Sequence, residues 1–487
     1  MEKFDILVVG GGFGGLGMGH QLKQAGLDDF VILEKADQVG GTWRENSYPG
    51  AECDVPSALY SYSFAPNPDW KHKWSKQPQI FAYLKHCARK FGLYPHIRFG
   101  QAVTAAEYDD GRGRWTVSTE NGDKFDCQHF ICALGQLHHP SIPAFAGRDE
   151  FSGPQFHSAK WAHDIDLKDK RVAVIGNAAS ALQFIPHVAA VADTLTVYQR
   201  SANWVLPKGD RPYTALEKWI SRKIPFLAKL YRLGIWAKQE LIVYPIIAGS
   251  KWHQRVARSA FRRNLKSAIS DPELRKMLTP NYTIGAKRIL VSDTLFPALA
   301  RENVDLVTEG IKQFTATSII TKDGVTRAHD IVIYGTGFRT NPFLQSIEVT
   351  GHGGKRLRNV WTGGARAFLG IAVPGFPNLH MLYGPNTNTG HTSIIYKLEA
   401  QIRYIIQLIQ LSGSGAIEVR KDVAEQFDKE MQARLSQTAW DRVAASWYKD
   451  GDRITNNWPG SSWEYYRRTR RVDPSHYMAA DIYNTNA

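Results

Sequence analysis

Two short turns carry the clearest chemical signal in the chain, Gly10-Gly11-Gly12-Phe13-Gly14-Gly15 and Gly176-Asn177-Ala178-Ala179-Ser180-Ala181. A turn of this kind between a strand and a helix holds the pyrophosphate of a dinucleotide. In the first, Gly10 permits the tight turn, Gly12 lets the backbone approach the phosphates and Gly15 lets helix and strand pack closely. The free N–H groups of the helix N-terminus then face the anion. The second turn keeps Gly176 but has Ala178 and Ala181 where the pattern has glycines, which sets the pyrophosphate a little farther from the backbone. Ser180 within it is a further expected cofactor contact. The residue closing the next strand differs between the two. Glu34 can accept hydrogen bonds from an unphosphorylated ribose, which suits FAD or NAD. Arg200 is a cation where the 2′-phosphate of NADPH would lie, which favours NADPH over NADH.

Between the turns runs an aromatic, glycine-rich loop with no regular period: Gly40-Gly41-Thr42-Trp43, then Tyr48-Pro49-Gly50, then Asp54. Loops of this chemistry cover rings, which narrows the first site to a flavin. Taken from the residues alone, Asp54 before Val55-Pro56 also fits a turn cap. The loop resembles that of the Baeyer–Villiger type of flavoprotein monooxygenase, and Phe151, Gly153, His157 and Trp161 match the same family's FxGxxxHxxxW signature. Trp161 separates the chain from related flavin monooxygenases that oxidise nitrogen and sulfur; Ala162, which follows it, departs from the Pro or Asp usual in the family.

The resemblance implies roles that spacing alone does not. Asp54 would position a catalytic arginine, Arg288, and Lys287 would join Arg200 at the 2′-phosphate. Gly41 and Trp43 would lie against FAD. Asn386, in the polar loop Gly384-Pro385-Asn386-Thr387-Asn388-Thr389-Gly390, would sit near the flavin, and Trp458 would lie over NADP. Residues 151–161 would act as a hinge, with His157 pinning it. The implied activity is NADPH- and O2-dependent conversion of ketones to esters or lactones through a peroxide at C4a of the flavin. The runner-up is oxidation of nitrogen or sulfur centres. A flavin disulfide reductase is disfavoured because Cys53, Cys87, Cys127 and Cys132 form no CxxC pair, and they have no metal-ligand spacing either. An NADPH oxidase held at a membrane or by a partner has only the basic segment described below in its favour.

These residues must be held by two α/β dinucleotide-binding (Rossmann-like) domains, an internal duplication of architecture with different ligands. Apolar strands are expected at residues 4–9, 30–33, 130–134, 171–175, 194–199 and 330–334, with helices after each glycine turn. The NADP domain is expected inside the FAD domain. The reading places the first part of the FAD domain at 1–145, the hinge at 146–165 and the NADP domain at 166–207 and 281–340. A basic helical insert takes 208–280, and 341–487 completes the FAD domain.

With 487 residues the chain is long enough for two or three domains. Its 43% hydrophobic and 22% charged residues are those of an ordinary globular protein, and no apolar run reaches the roughly 20 residues of a membrane span. The first ten residues read as a strand and not as a signal peptide, so a cytoplasmic protein is expected. Of the net charge of +14, an excess of 11 lies between Lys208 and Lys276, with 16 Lys and Arg against 5 Asp and Glu. The plain reading of this segment is a solvated helical subdomain packed on the NADP domain; the sharper one is peripheral contact with an anionic membrane surface. No nucleic-acid module accompanies the charge, so the expected partners are a small ketone and O2. Nothing in the pattern sets an oligomeric state.

Overall fold

The computed structural model describes residues 1–443 and 446–480. Two mostly parallel sheets organise it. In the first, Glu2–Val9 lies between Phe30–Glu34 and Lys124–Cys132, all parallel, with Ile97–Phe99 outside Phe30–Glu34. The antiparallel strands Arg114–Thr119 and Val103–Asp109 extend the other side. Successive residues of the central strand face opposite layers: Ile6 and Val8 join one apolar core, Leu7 and Val9 another. Burial on both faces is why this strand reads as an unbroken apolar run.

The second sheet has five parallel strands in the order Val304–Val307, Thr194–Tyr198, Arg171–Ile175, Ile331–Tyr334, Gln155–His157. It repeats the first in detail. Gly10 and Gly176 both adopt positive φ, 107° and 104°. A side chain on either would strike the carbonyl just past the end of the neighbouring strand, that of Ala133 or of Gly335. After the second domain the chain returns: Glu348–Thr350 and Leu379–Met381 both add to the first sheet. The second domain is therefore inserted in the first.

Two parts of the organisation differ from the expectation. Residues 146–165 are not a bare hinge, because Gln155–His157 forms the edge strand of the second sheet. Three consecutive residues are too few for periodicity to reveal. The basic insert is helical, but it packs on both domains and not on the NADP domain alone. Helix Lys251–Ala268 buries Ala257, Phe261 and Leu265 in the core of the second domain, with Phe261 edge-on to Trp204 at 4.8 Å. Helix Pro225–Lys238 lies instead on the flavin domain, where Arg232 donates to the carbonyls of Ala58 and Ser61, and Trp236 to the Ser462 hydroxyl.

A second junction joins the domains at Gln183, on the helix Ala179–Ala189. Its side-chain oxygen accepts from the Tyr48 hydroxyl (2.9 Å) and the Glu52 N–H (3.2 Å), and its amide donates to the Glu52 carbonyl at 3.0 Å. Gly50 fits because a Cβ there would meet the Gln183 carbonyl at 2.5 Å. Gln183→Ala is expected to cost about 1–3 kcal/mol and to speed amide hydrogen exchange across residues 48–54 at least tenfold, followed by mass spectrometry. Unchanged exchange there would show that the loop is held by its own contacts.

Candidate active site

One cavity of about 1230 Å³ runs between the two sheets. That exceeds the roughly 300–1,000 Å³ of a site for one small ligand. Gly10, Gly12, Glu34, Gly41, Trp43 and Asp54 line it from the first domain. Gly176, Ser180, Arg200, Lys287 and Arg288 line it from the second. The helices Phe13–Gln24 and Ala179–Ala189 both begin at its wall with no side-chain cap and no acidic residue in the first turn. Their first N–H groups are thus left for an anion. Gly15 stays out of the cavity and does the packing expected of it, since a Cβ there would overlap the Gly10 carbonyl.

Glu34 is buried. One carboxylate oxygen takes the Gly11 N–H at 2.7 Å; the other takes the Ala36 N–H at 3.0 Å and Arg44 at 3.1 Å. A carboxylate offers about four lone-pair sites, so these three contacts leave one acceptor site for a ribose hydroxyl. Trp43 is set by a 3.1 Å hydrogen bond from its indole N–H to the Tyr60 hydroxyl.

At the junction of the domains Asp54 and Arg288 form an ion pair across 234 residues of chain. Nε and Nη2 of Arg288 both reach Oδ2 of Asp54, at 2.7 and 2.6 Å. Both side chains keep about a quarter of their surface open to the cavity, 25% for Asp54 and 29% for Arg288. The Asp54 charge pushes the guanidinium further above its ordinary value, outweighing the opposing effect of burial. Two of the five guanidinium N–H groups are thus engaged and the rest remain as donors. Around the pair are buried phenols. Burial pushes Tyr448 up to about 12 and Tyr383 further. Tyr383 adopts a φ of 62°, a conformation that costs a non-glycine residue about 1–3 kcal/mol unless its surroundings enforce it. Here Gln136 donates to its carbonyl, Gln401 accepts its N–H, and its hydroxyl donates to Asn388 at 2.7 Å.

Arg200 and Lys287 lie close enough for the arginine to disfavour the charged lysine, although burial lowers Lys287 more. Among the described residues neither has a carboxylate partner; Lys287 only donates to the Ser201 hydroxyl at 3.1 Å. Two adjacent cations without a carboxylate partner among the described residues could hold a phosphate.

The signature residues 151–161 lie outside the cavity. Phe151 packs edge-on against Phe314 at 6.2 Å, and Gly153 passes so close to the Asp330 carbonyl that no side chain would fit. Trp161 packs on Phe156 and Phe184. His157 is buried, its Nδ1 accepts the Ala159 N–H at 3.1 Å, and burial lowers its pKa, so a neutral ring holds the turn.

Two expected contacts are corrected. The Asn386 amide is buried against the carbonyls of Ile454 (2.9 Å) and Asn457 (3.1 Å), so it ties two loops together and does not face the cavity. Its neighbours Asn388, Thr389 and Thr392 line the cavity instead. Trp458 is in the core, edge-on to Tyr465 at 5.0 Å and within 5.8 Å of Arg434. From that part of the chain, Trp447 and not Trp458 reaches the cavity wall. Sequence reasoning also passed over Tyr383, whose one signal was its place directly before the glycine loop that begins at Gly384.

Comparison with known proteins bears directly on this arrangement. Residues 7–241 match the pyridine nucleotide-disulphide oxidoreductase family. A Baeyer-Villiger monooxygenase of Streptomyces coelicolor is 42% identical over 98% of this chain and 93% of its own. A FAD-binding monooxygenase of Aspergillus niger is 37% identical over 96% of this chain and 81% of its own. Among solved structures, an oxidised steroid monooxygenase bound to NADP superimposes with a TM-score of 0.87 at 30% identity, over 98% of this chain and 99% of that one. Identity of this extent along nearly the whole chain means that the protein belongs to the Baeyer–Villiger monooxygenase family.

Proposed function

We propose that the protein uses NADPH and O2 to insert one oxygen atom beside the carbonyl of a ketone, giving an ester or lactone and water, with FAD resident in the first domain and NADPH bound by the second. The observation that carries this reading is the Asp54–Arg288 pair, an arginine held at the junction of two dinucleotide sites with donors to spare. The residues fit both cofactors. For FAD there are the uncapped helix at Gly12 and the open acceptor of Glu34. For NADPH there are the uncapped helix at Ala178 and the unpaired cations Arg200 and Lys287.

When bound, the flavin supplies the redox chemistry that joins NADPH and O2 into an oxygen nucleophile. The chain's own work is electrostatic. As a nucleophile adds to the substrate carbonyl, negative charge collects on the carbonyl oxygen. Arg288 keeps its proton at any working pH, and its free N–H groups stabilise that charge. Asp54 takes the Nε–Nη2 edge and so fixes the guanidinium plane, leaving Nη1 and the second Nη2 N–H as donors. Half-buried and already paired, the two side chains need little rearrangement as the charge forms, because their dipoles are already set.

Arg288→Ala is expected to lower ester formation at least a hundredfold while NADPH still bleaches the flavin in the absence of air, followed by stopped-flow absorbance and gas chromatography. Esters formed at the wild-type rate would remove Arg288 from this role, and a product oxidised only at nitrogen or sulfur would favour heteroatom oxidation. Arg200→Ala is expected to raise KM for NADPH about tenfold or more and to leave KM for NADH nearly unchanged. Equal losses for the two would place the 2′-phosphate elsewhere.

A further inference from the structure

The insert carries apolar surface that the fold does not use. On helix Pro225–Lys238 the inward face holds Arg232, Ile235 and Trp236, the first and last by hydrogen bonds to the flavin domain. The outward face is also apolar. Phe226, Leu230 and Leu233 follow at spacings of four and three, and Leu241 continues the row one turn beyond the helix. They are 66%, 46%, 54% and 71% exposed, and the preceding helix, Ala215–Lys223, adds Leu216 at 65% and Trp219 at 52%. Single exposed apolar residues need no explanation; a continuous stripe about 20 Å long does.

The charge around the stripe says what covers it. Lys218, Lys223, Lys229 and Lys238 flank it and have no carboxylate partner among the described residues. The two carboxylates of this stretch are taken: Glu217 by Lys73 and Arg211, and Glu240 by His391 and Ser462. Aliphatic and aromatic residues on one face with unpaired lysines at its border match an anionic lipid surface, where the first enter the acyl boundary and the second meet headgroup phosphates. A second copy of the chain fits poorly, since a two-fold pairing of this face would set its lysines against themselves. No helix among the described residues is long and apolar enough to cross a membrane, so the contact is with one leaflet.

We infer that the helices Ala215–Lys223 and Pro225–Lys238 seat the enzyme on an anionic bilayer surface. The test is sedimentation of the flavin-loaded full chain with vesicles of phosphatidylcholine alone or with 30–40% phosphatidylglycerol, roughly the range in which lysine attraction to a surface is felt. The wild type should partition at least tenfold more to the anionic vesicles, and 0.5 M salt should weaken this. The variant Phe226→Ser/Leu230→Ser/Leu233→Ser should lose at least tenfold in partition while keeping its flavin absorbance and its NADPH oxidation in solution. A second variant, Lys218→Glu/Lys223→Glu/Lys229→Glu, should lose the preference for anionic lipid. Wild-type partition no greater than that of either variant would overturn the proposal. So would a concentration-dependent dimer, seen by analytical ultracentrifugation, that the serine variant abolishes.

Discussion

The ion pair between Asp54 and Arg288 is the constraint on which the rest of the site depends. Neither residue can be placed by its own domain alone. Asp54 ends a loop of the first domain, and Arg288 stands where the second domain resumes after the helical insert. For both to meet at 2.6 Å the two sheets, the loop and the insert must all be seated. Charges taken partly out of water are tolerable only when paired, so the pair rewards the assembled arrangement and penalises others. Beside it the amides of Gln136 and Gln401 hold Tyr383 in a backbone conformation it would not adopt freely.

The two domains show how one architecture accommodates two ligands. Their turns are superimposable in cause: a glycine at positive φ crossing the end of a returning strand. They differ in the group that ends the second strand of each. Glu34 is neutralised by Arg44 and backbone donors and offers only an acceptor, whereas Arg200 and Lys287 offer charge that no carboxylate among the described residues balances. The contrast needs only a few side chains, because the glycine turn and the uncapped helix end are common to both.

What was legible in the sequence follows from how local the cause is. The glycine turns, the apolar strands and the exchange of Glu34 for Arg200 are set by neighbours in the chain, and they lie where spacing places them. The pairing of Asp54 with Arg288 was legible only through family resemblance, since no local pattern links residues so far apart. Asn386 and Trp458 were misplaced because a side chain's direction within an irregular loop is decided by what packs against it. Asn386 turns to the carbonyls of residues 454 and 457, and Trp458 to an aromatic core. The insert hid its division between two domains because helix Pro225–Lys238 is apolar on more than one face, and composition does not say which face is inward.

The Gln183 contacts have a kinetic meaning. Tyr48 and Glu52 are tied to the second domain although their loop belongs to the first, and Asp54 follows two residues later. A rotation of the nucleotide-binding domain therefore drags the carboxylate that aims the guanidinium, unless the clasp first opens. Domain orientation and the geometry of the Asp54–Arg288 pair are one mechanical coordinate, so a substitution that only loosens the clasp would uncouple the two without touching either charged group.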